Sequence, residues 1–190
     1  MSYFAAAVAR GPEGWVAAEV DLGGVADVEE VADRLREVEP DARVSLLFVE
    51  ADDVYLVILR LDEGEDLRVF GSDSAFAEES RLGALLLGEV EEPALEIDEV
   101  TAVPAVLGEP AYGDVRPPAP AADVAAGSRP AAPEPDVDPL GDADLLADLG
   151  VPAHRLLALC AQEGMLPADV TAEICQAIGC GDEMEELRDT

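Results

Sequence analysis

The sequence predicts an α+β fold. A five-stranded antiparallel sheet is laid down in the order ββαβββα, followed by a proline-rich linker and a small all-α C-terminal module. Three observations predict it. Short β-branched and aromatic runs recur at hairpin spacing through residues 3–70. One segment between them has a clean helical period. Nine of the fourteen prolines crowd between Pro104 and Pro139.

The elements follow in order. Tyr3–Arg10 and Trp15–Leu22 flank Gly11-Pro12-Glu13-Gly14, strong turn chemistry that predicts a hairpin. In the second run, alternation of apolar and polar positions gives one buried face and one solvated face. A helix is predicted from about Asp27 to Val38. Val28, Val31, Ala32, Leu35 and Val38 repeat at i, i+3, i+4 and i+7, and acids fill the opposite face. Asp27 is the expected N-cap with Glu30 three residues on, and Pro40 lies past the end. Val44–Val49 and Val54–Leu61 form a third and a fourth strand around Glu50-Ala51-Asp52-Asp53, and Leu67–Phe70 forms a fifth. A helix over Ser80–Leu87, with a start as early as Ser74, stops at Gly88.

Residues 93–138 cannot propagate a helix or a sheet ladder, because proline removes donors and fixes φ. They predict an extended linker of polyproline character. The domains are therefore 1–92, an α+β domain; 93–138, an acidic Pro/Ala-rich linker; and 139–190, a small helical module. Three helices are expected in the module: Asp142–Leu149, Pro152 to about Gln162, and Pro167 to Gly179. Fewer than fifty such residues make a marginal core, so the module needs the first domain or a partner to pack on.

Charge excludes more than any motif suggests. The chain has no lysine, and 43 acids face 11 arginines for a net charge of −32. The excess is spread evenly: residues 1–92 carry −16, 93–138 carry −7 and 139–190 carry −9. Such a surface repels phosphate backbones and anionic lipid, which argues against direct nucleic-acid or membrane binding. No lysine means no P-loop lysine, Schiff base or pyridoxal anchor. No signal peptide is recognisable at the start and no apolar run suffices to cross a bilayer, so the expectation is cytoplasmic.

Candidate chemistry is sparse. His154, Cys160, Cys175 and Cys180 are the right residue types for zinc, but no C-x-x-C pair is present. Residues six apart on one helix, such as His154 and Cys160, point about 240° apart. Negative surroundings raise a thiol pKa, which disfavours a cysteine nucleophile. The run Asp136 to Ala147 has Leu140 and Ala147 where a calcium loop needs ligands. The pairs Asp52-Asp53, Glu78-Glu79 and Glu91-Glu92 have no argued apolar pocket around them and read as solvated surface. No catalytic residue, metal ligand or cofactor is therefore expected.

The element order resembles the longin, roadblock and profilin-like folds, which points towards scaffolding. Three N-terminal tracts carry a more specific resemblance: Ser2 to Arg10, Trp15 to Leu22 and Ser80 to Gly88. Two C-terminal tracts join them, Leu145 to Pro152 and Leu166-Pro167-Ala168-Asp169. Together they look like the actinobacterial tRNA adenosine deaminase-associated protein family. The resemblance covers both ordered parts and skips the linker. It implies association with the wobble-adenosine deaminase of tRNA, and it brings no catalytic residues. The H-x-E and P-C-x-x-C signature of the deaminase itself is absent.

Two readings follow. The first is a non-enzymatic acidic accessory protein that binds a basic protein, the tRNA adenosine deaminase in first place. Its partner-binding candidates are Asp52 and Asp53 at a hairpin tip and Leu82, Leu85, Leu86, Leu156 and Leu159 on helices. The alternative is an independent enzyme or metal-binding protein that uses the C-terminal Cys/His region. Homo-oligomerisation stays open in both.

Overall fold

The computed structural model describes residues 2–88, 90 and 138–189. The linker expected over 93–138 lies, but for Asp138, outside the described residues. The parts on either side of it belong to one compact unit.

Among the described residues the sheet is antiparallel throughout and has six strands. In chain order these are β1 (Tyr3–Gly11), β2 (Gly14–Glu19), β3 (Val44–Ala51), β4 (Tyr55–Asp62), β5 (Asp66–Gly71) and β6 (Leu140–Gly141). Their order across the sheet is β2-β1-β3-β4-β5-β6. The five expected strands are all present. The sixth corrects the count, and it corrects the expectation that the C-terminal module is all α. It pairs with the edge strand through Phe70↔Gly141 and Gly71↔Leu140. Gly141 has φ +91°, and a Cβ there would lie 2.2 Å from the Val69 carbonyl oxygen. Only glycine fits, and a two-residue strand around a glycine has no period to read.

Among the described residues six α-helices flank the sheet: α1 (Val28–Val38), α2 (Ala75–Glu79), α3 (Arg81–Leu87), α4 (Ala153–Cys160), α5 (Pro167–Ile178) and α6 (Gly181–Arg188). Helix α1 starts as expected, with the Asp27 carboxylate accepting from Glu30 N at 2.9 Å. The Glu30 carboxylate reaches back to Ala26 N at 3.0 Å, which completes the reciprocal cap one residue earlier than the standard box. The expected helix after β5 is two helices. Ser80 breaks them with extended backbone and caps α3, its hydroxyl accepting from Leu82 N and Gly83 N.

The C-terminal expectations need two corrections. Asp142–Leu149 is a chain of turns ending in one turn of 3₁₀ helix, Ala147–Leu149, because Asp142 and Asp144 engage nearby backbone N–H groups. Helix α6 was not expected at all. The stop at Gly179 is real, with φ +87° and its N–H on the Cys175 carbonyl, but the chain turns and resumes one residue after Cys180.

The reason for the layering lies in the central strands. Every residue from Ser45 to Ala51 and from Leu56 to Leu61 is buried, so both faces of the sheet are covered. On one face Ala5, Ala7, Leu47, Val49, Val57 and Leu59 meet Val31 and Leu35 of α1 and Phe76, Leu86 and Leu87 of α2 and α3. On the other, Ala6, Val8, Leu46, Phe48, Ile58 and Phe70 meet Leu145, Leu156, Val170, Ile174, Cys175 and Met184. The second core is thus shared between the sheet and the C-terminal segment. Each buried Leu, Ile or Phe stabilises by about 1.5–3 kcal/mol. Uncovering Leu46, Phe48, Ile58 and Phe70 would forfeit roughly 6–12 kcal/mol, comparable to the whole stability of a domain.

Candidate functional site

An apolar groove of about 290 Å³ lies at one end of the sheet, on the α1/α3 face. Tyr3 of β1, Leu22 and Val25 of the β2–α1 loop, Phe76 of α2, and Leu82 and Leu85 of α3 line it. Gly23-Gly24 leaves the loop side without side chains, and Gly24 has φ +79°. Gly83 holds α3 close: a Cβ there would sit 2.0 Å from the Phe76 carbonyl oxygen. The gap between α3 and the loop, which is the groove, therefore depends on that glycine.

The rim is acidic. Ala51 lines the groove, and the hairpin tip Asp52-Asp53 follows it directly. Both aspartates are exposed and adopt left-handed backbone, φ 49° and 55°, which Asp tolerates better than most residues. Asp52 Oδ1 accepts from Ser2 N at 2.9 Å, and Asp52 N donates to the Ser2 carbonyl at 2.9 Å, which ties the tip to the start of β1. Tyr55 stacks on Phe76 at 5.0 Å and donates its hydroxyl hydrogen to Glu79 at 2.8 Å. The Glu79 bond, then burial, then the fields of Glu79, Asp73 and Asp52 push the Tyr55 phenol up to about 12. Asp21 accepts from Tyr3 Oη at 3.5 Å and from Gly23 N at 2.7 Å. Arg81 is the one cation among the described lining residues.

The expected partner residues divide between the two faces. Leu82 and Leu85 line this groove, and Asp52 and Asp53 follow its lining residue Ala51 in the chain. Leu86 is buried against the sheet beneath it. Leu156 is fully buried in the opposite core, and Leu159 packs half-buried against that core. Period alone could not separate Leu82 and Leu85 from Leu86. A seven-residue helix has too few turns, and its neighbour α2 decides which side is covered. Tyr3, Phe76 and the Gly23-Gly24 loop were missed, because they join the site only through tertiary packing.

The C-terminal cysteines are placed differently. Cys175 and Cys180 are fully buried in the second core, and Cys160 is half-buried. Burial pushes the Cys160 thiol up to about 12. A hydrogen bond with Cys180, then burial, raises Cys175 as well. His154 is exposed on α4. Among the described residues, no three His, Cys, Asp or Glu side chains are grouped to hold a metal ion.

Two polar clusters pin the C-terminal segment to the sheet. Arg60, only 4 % exposed, reaches Asp62, Asp148 and the Leu145 carbonyl, while Arg68 shares Asp62 and reaches Asp142 at 3.5 Å. Arg188 of α6 pairs with Glu50 on β3 and lies 5.0 Å over the Phe4 ring on β1. Each cluster joins residues more than 70 positions apart, so their arrangement is structural.

The family described as Rv3753c-like tRNA adenosine deaminase-associated protein matches residues 3–115 and 119–181. The chain belongs to that family. Membership covers nearly the whole length, including much of the stretch that the sequence resemblance skipped. The family's description places its members beside a tRNA adenosine deaminase and does not call them deaminases. No curated protein and no solved structure matches the chain. Among the described residues, no helix is long and apolar enough to cross a membrane.

Proposed function

We propose that this chain is a non-enzymatic, cytoplasmic accessory protein that binds the tRNA adenosine deaminase through electrostatic attraction and apolar contact. The observation that carries the reading is the meeting of an apolar groove and an acidic rim in a member of a deaminase-associated family. A tRNA-binding enzyme must present cationic surface to phosphates. An acidic partner of net charge −32 is steered to such a surface, and apolar side chains then fix the complex. The raised thiols of Cys160 and Cys175 and the exposed His154 lend the alternative enzymatic reading no support. A likeness to the longin, roadblock and profilin-like scaffolds belongs to the same proposal, as a likeness of layers and element order alone.

Titration calorimetry and association kinetics with purified deaminase from the same organism test the reading. Binding should weaken as salt rises, since charges beyond a Debye length of about 8 Å are screened at physiological ionic strength. It should persist in part at high salt through the apolar contacts. Asp52→Arg with Asp53→Arg should slow association more than it speeds dissociation. Absence of binding at low salt would remove the deaminase as partner.

A further inference from the structure

We infer that the groove between α3 and the Gly23-Gly24 loop is the docking site for a cationic amphipathic segment of a protein partner. Two or three apolar side chains of the segment enter the groove, and its flanking Lys or Arg residues meet Asp21, Asp52 and Glu79. This deepens the accessory-protein reading above and rests on it for the identity of the partner.

Three observations narrow the occupant. The first is size and polarity. At about 290 Å³ the groove sits at the small end of ligand pockets, and its walls are mainly Leu22, Val25, Phe76, Leu82 and Leu85. Few polar side chains are near it: Ser80 Oγ caps α3, Tyr3 Oη faces Asp21, and Arg81 adds one guanidinium. A small polar metabolite would find no convergent free donors, whereas apolar side chains need none.

The second observation is charge. Asp21 touches the lining residue Tyr3, Asp52 follows the lining residue Ala51, and Glu79 holds Tyr55 against the lining residue Phe76. Three carboxylates thus lie one residue or one contact beyond the lining, whose own charged residue is Arg81. The chain's own residues 93–138 carry −7, and a second copy of the chain carries −32, so both are repelled from this rim. A cationic segment is attracted to it.

The third is shape. An open groove along a helix, faced by a loop in which Gly23-Gly24 separates Leu22 from Val25, is the form that receives an amphipathic helix by its i, i+3 and i+4 side chains.

The test has two arms, both on the full chain. In the first, amide shifts are followed while a synthetic Leu–Lys amphipathic helix, and separately its Leu–Glu counterpart, is added. Shifts confined to Tyr3, Gly23, Gly24, Leu82 and Leu85 with the Lys peptide only are expected. Shifts elsewhere, equal shifts with both peptides, or none at millimolar peptide overturn the inference. The second arm measures deaminase binding. Leu82→Asp with Leu85→Asp should weaken it at least tenfold, while Leu166→Asp, on an exposed loop position, should leave it unchanged. Unchanged binding by the groove variant overturns the groove and leaves the deaminase as partner. Groove occupancy by the Lys peptide without any deaminase binding upholds the groove and removes the deaminase. If the groove variant does not fold, the peptide arm decides.

Discussion

Arg60 and Asp148, 88 residues apart in the chain, form a two-pronged ion pair across the second core. Arg60 Nη2 donates to Asp148 Oδ2 at 2.8 Å, and Nη1 donates to Oδ1 of the same carboxylate. Arg60 is buried while Asp148 is half open to solvent, so the pair seals the edge where the C-terminal segment meets β4. Asp62 lies between Arg60 and its cross-strand neighbour Arg68 and neutralises two like charges that would otherwise repel.

Removing the two ends of this pair should have unequal effects. Arg60→Ala should cost about 3 kcal/mol, in the range for breaking a buried pair. Asp148→Asn should cost about 1 kcal/mol, because its carboxylate is largely solvated and Asp62 still serves Arg60. Urea unfolding of both variants checks this.

The same cluster sets an acid limit. Hydrogen bonds from Arg60 hold the Asp148 carboxyl below its ordinary value of 3.8. At Asp62 burial pushes upward, but hydrogen bonds from Arg60 and Arg68 outweigh it and the carboxyl again lies low. Folded values below unfolded ones mean that this stabilisation is present above about pH 4 and is lost as pH falls through the folded values. The acid limb of a stability–pH curve should be shallower in Asp148→Asn than in wild type.

The shared core makes a prediction about truncation. A chain of residues 1–90 leaves Leu46, Phe48, Ile58 and Phe70 uncovered. It should aggregate or bind an apolar dye such as ANS. Co-expression with residues 138–190 as a separate chain should restore a folded complex, measured by co-purification and a cooperative thermal transition.

Gly83→Ala should be destabilising by about 1–3 kcal/mol, the usual range for forcing atoms into a packed site. The added Cβ cannot stay 2.0 Å from the Phe76 carbonyl, so α3 must move. Because α3 forms one wall of the groove, the same variant should weaken deaminase binding beyond its effect on stability. Calorimetry below the variant's melting temperature separates the two effects.

Tyr55 offers a spectroscopic marker for the rim. Its phenol, raised to about 12 chiefly by the bond to Glu79, stays protonated in the fold well above the ordinary 10. Its contribution to stability is complete below pH 10 and is lost as pH rises through about 12. An ultraviolet titration of the folded protein should show one tyrosine ionising near 12, and Glu79→Gln should move it back towards 10.

Much of the molecule was determined by local sequence alone. Helix α1 was legible from Val31, Leu35 and the Asp27 cap, because period and capping are properties of neighbouring residues. Five strands were legible because Gly-Pro-Glu-Gly, Asp-Asp and Glu-Gly turns separate runs of Val, Ile, Leu and Phe. The acidity was legible as composition. Tertiary structure decided the rest. The sixth strand exists because Gly141 can lie against Val69, a contact across more than 70 residues. The separation of Leu82 and Leu85 from Leu86 was settled by α2 and the sheet, since a short helix does not encode which side its neighbours will cover. The second core arose because central strands with apolar residues on both faces need cover on both, and among the described residues the C-terminal segment supplies it on the second face. That demand was present in the unbroken run from Leu46 to Val49, but which segment would meet it was decided when distant apolar surfaces left water together.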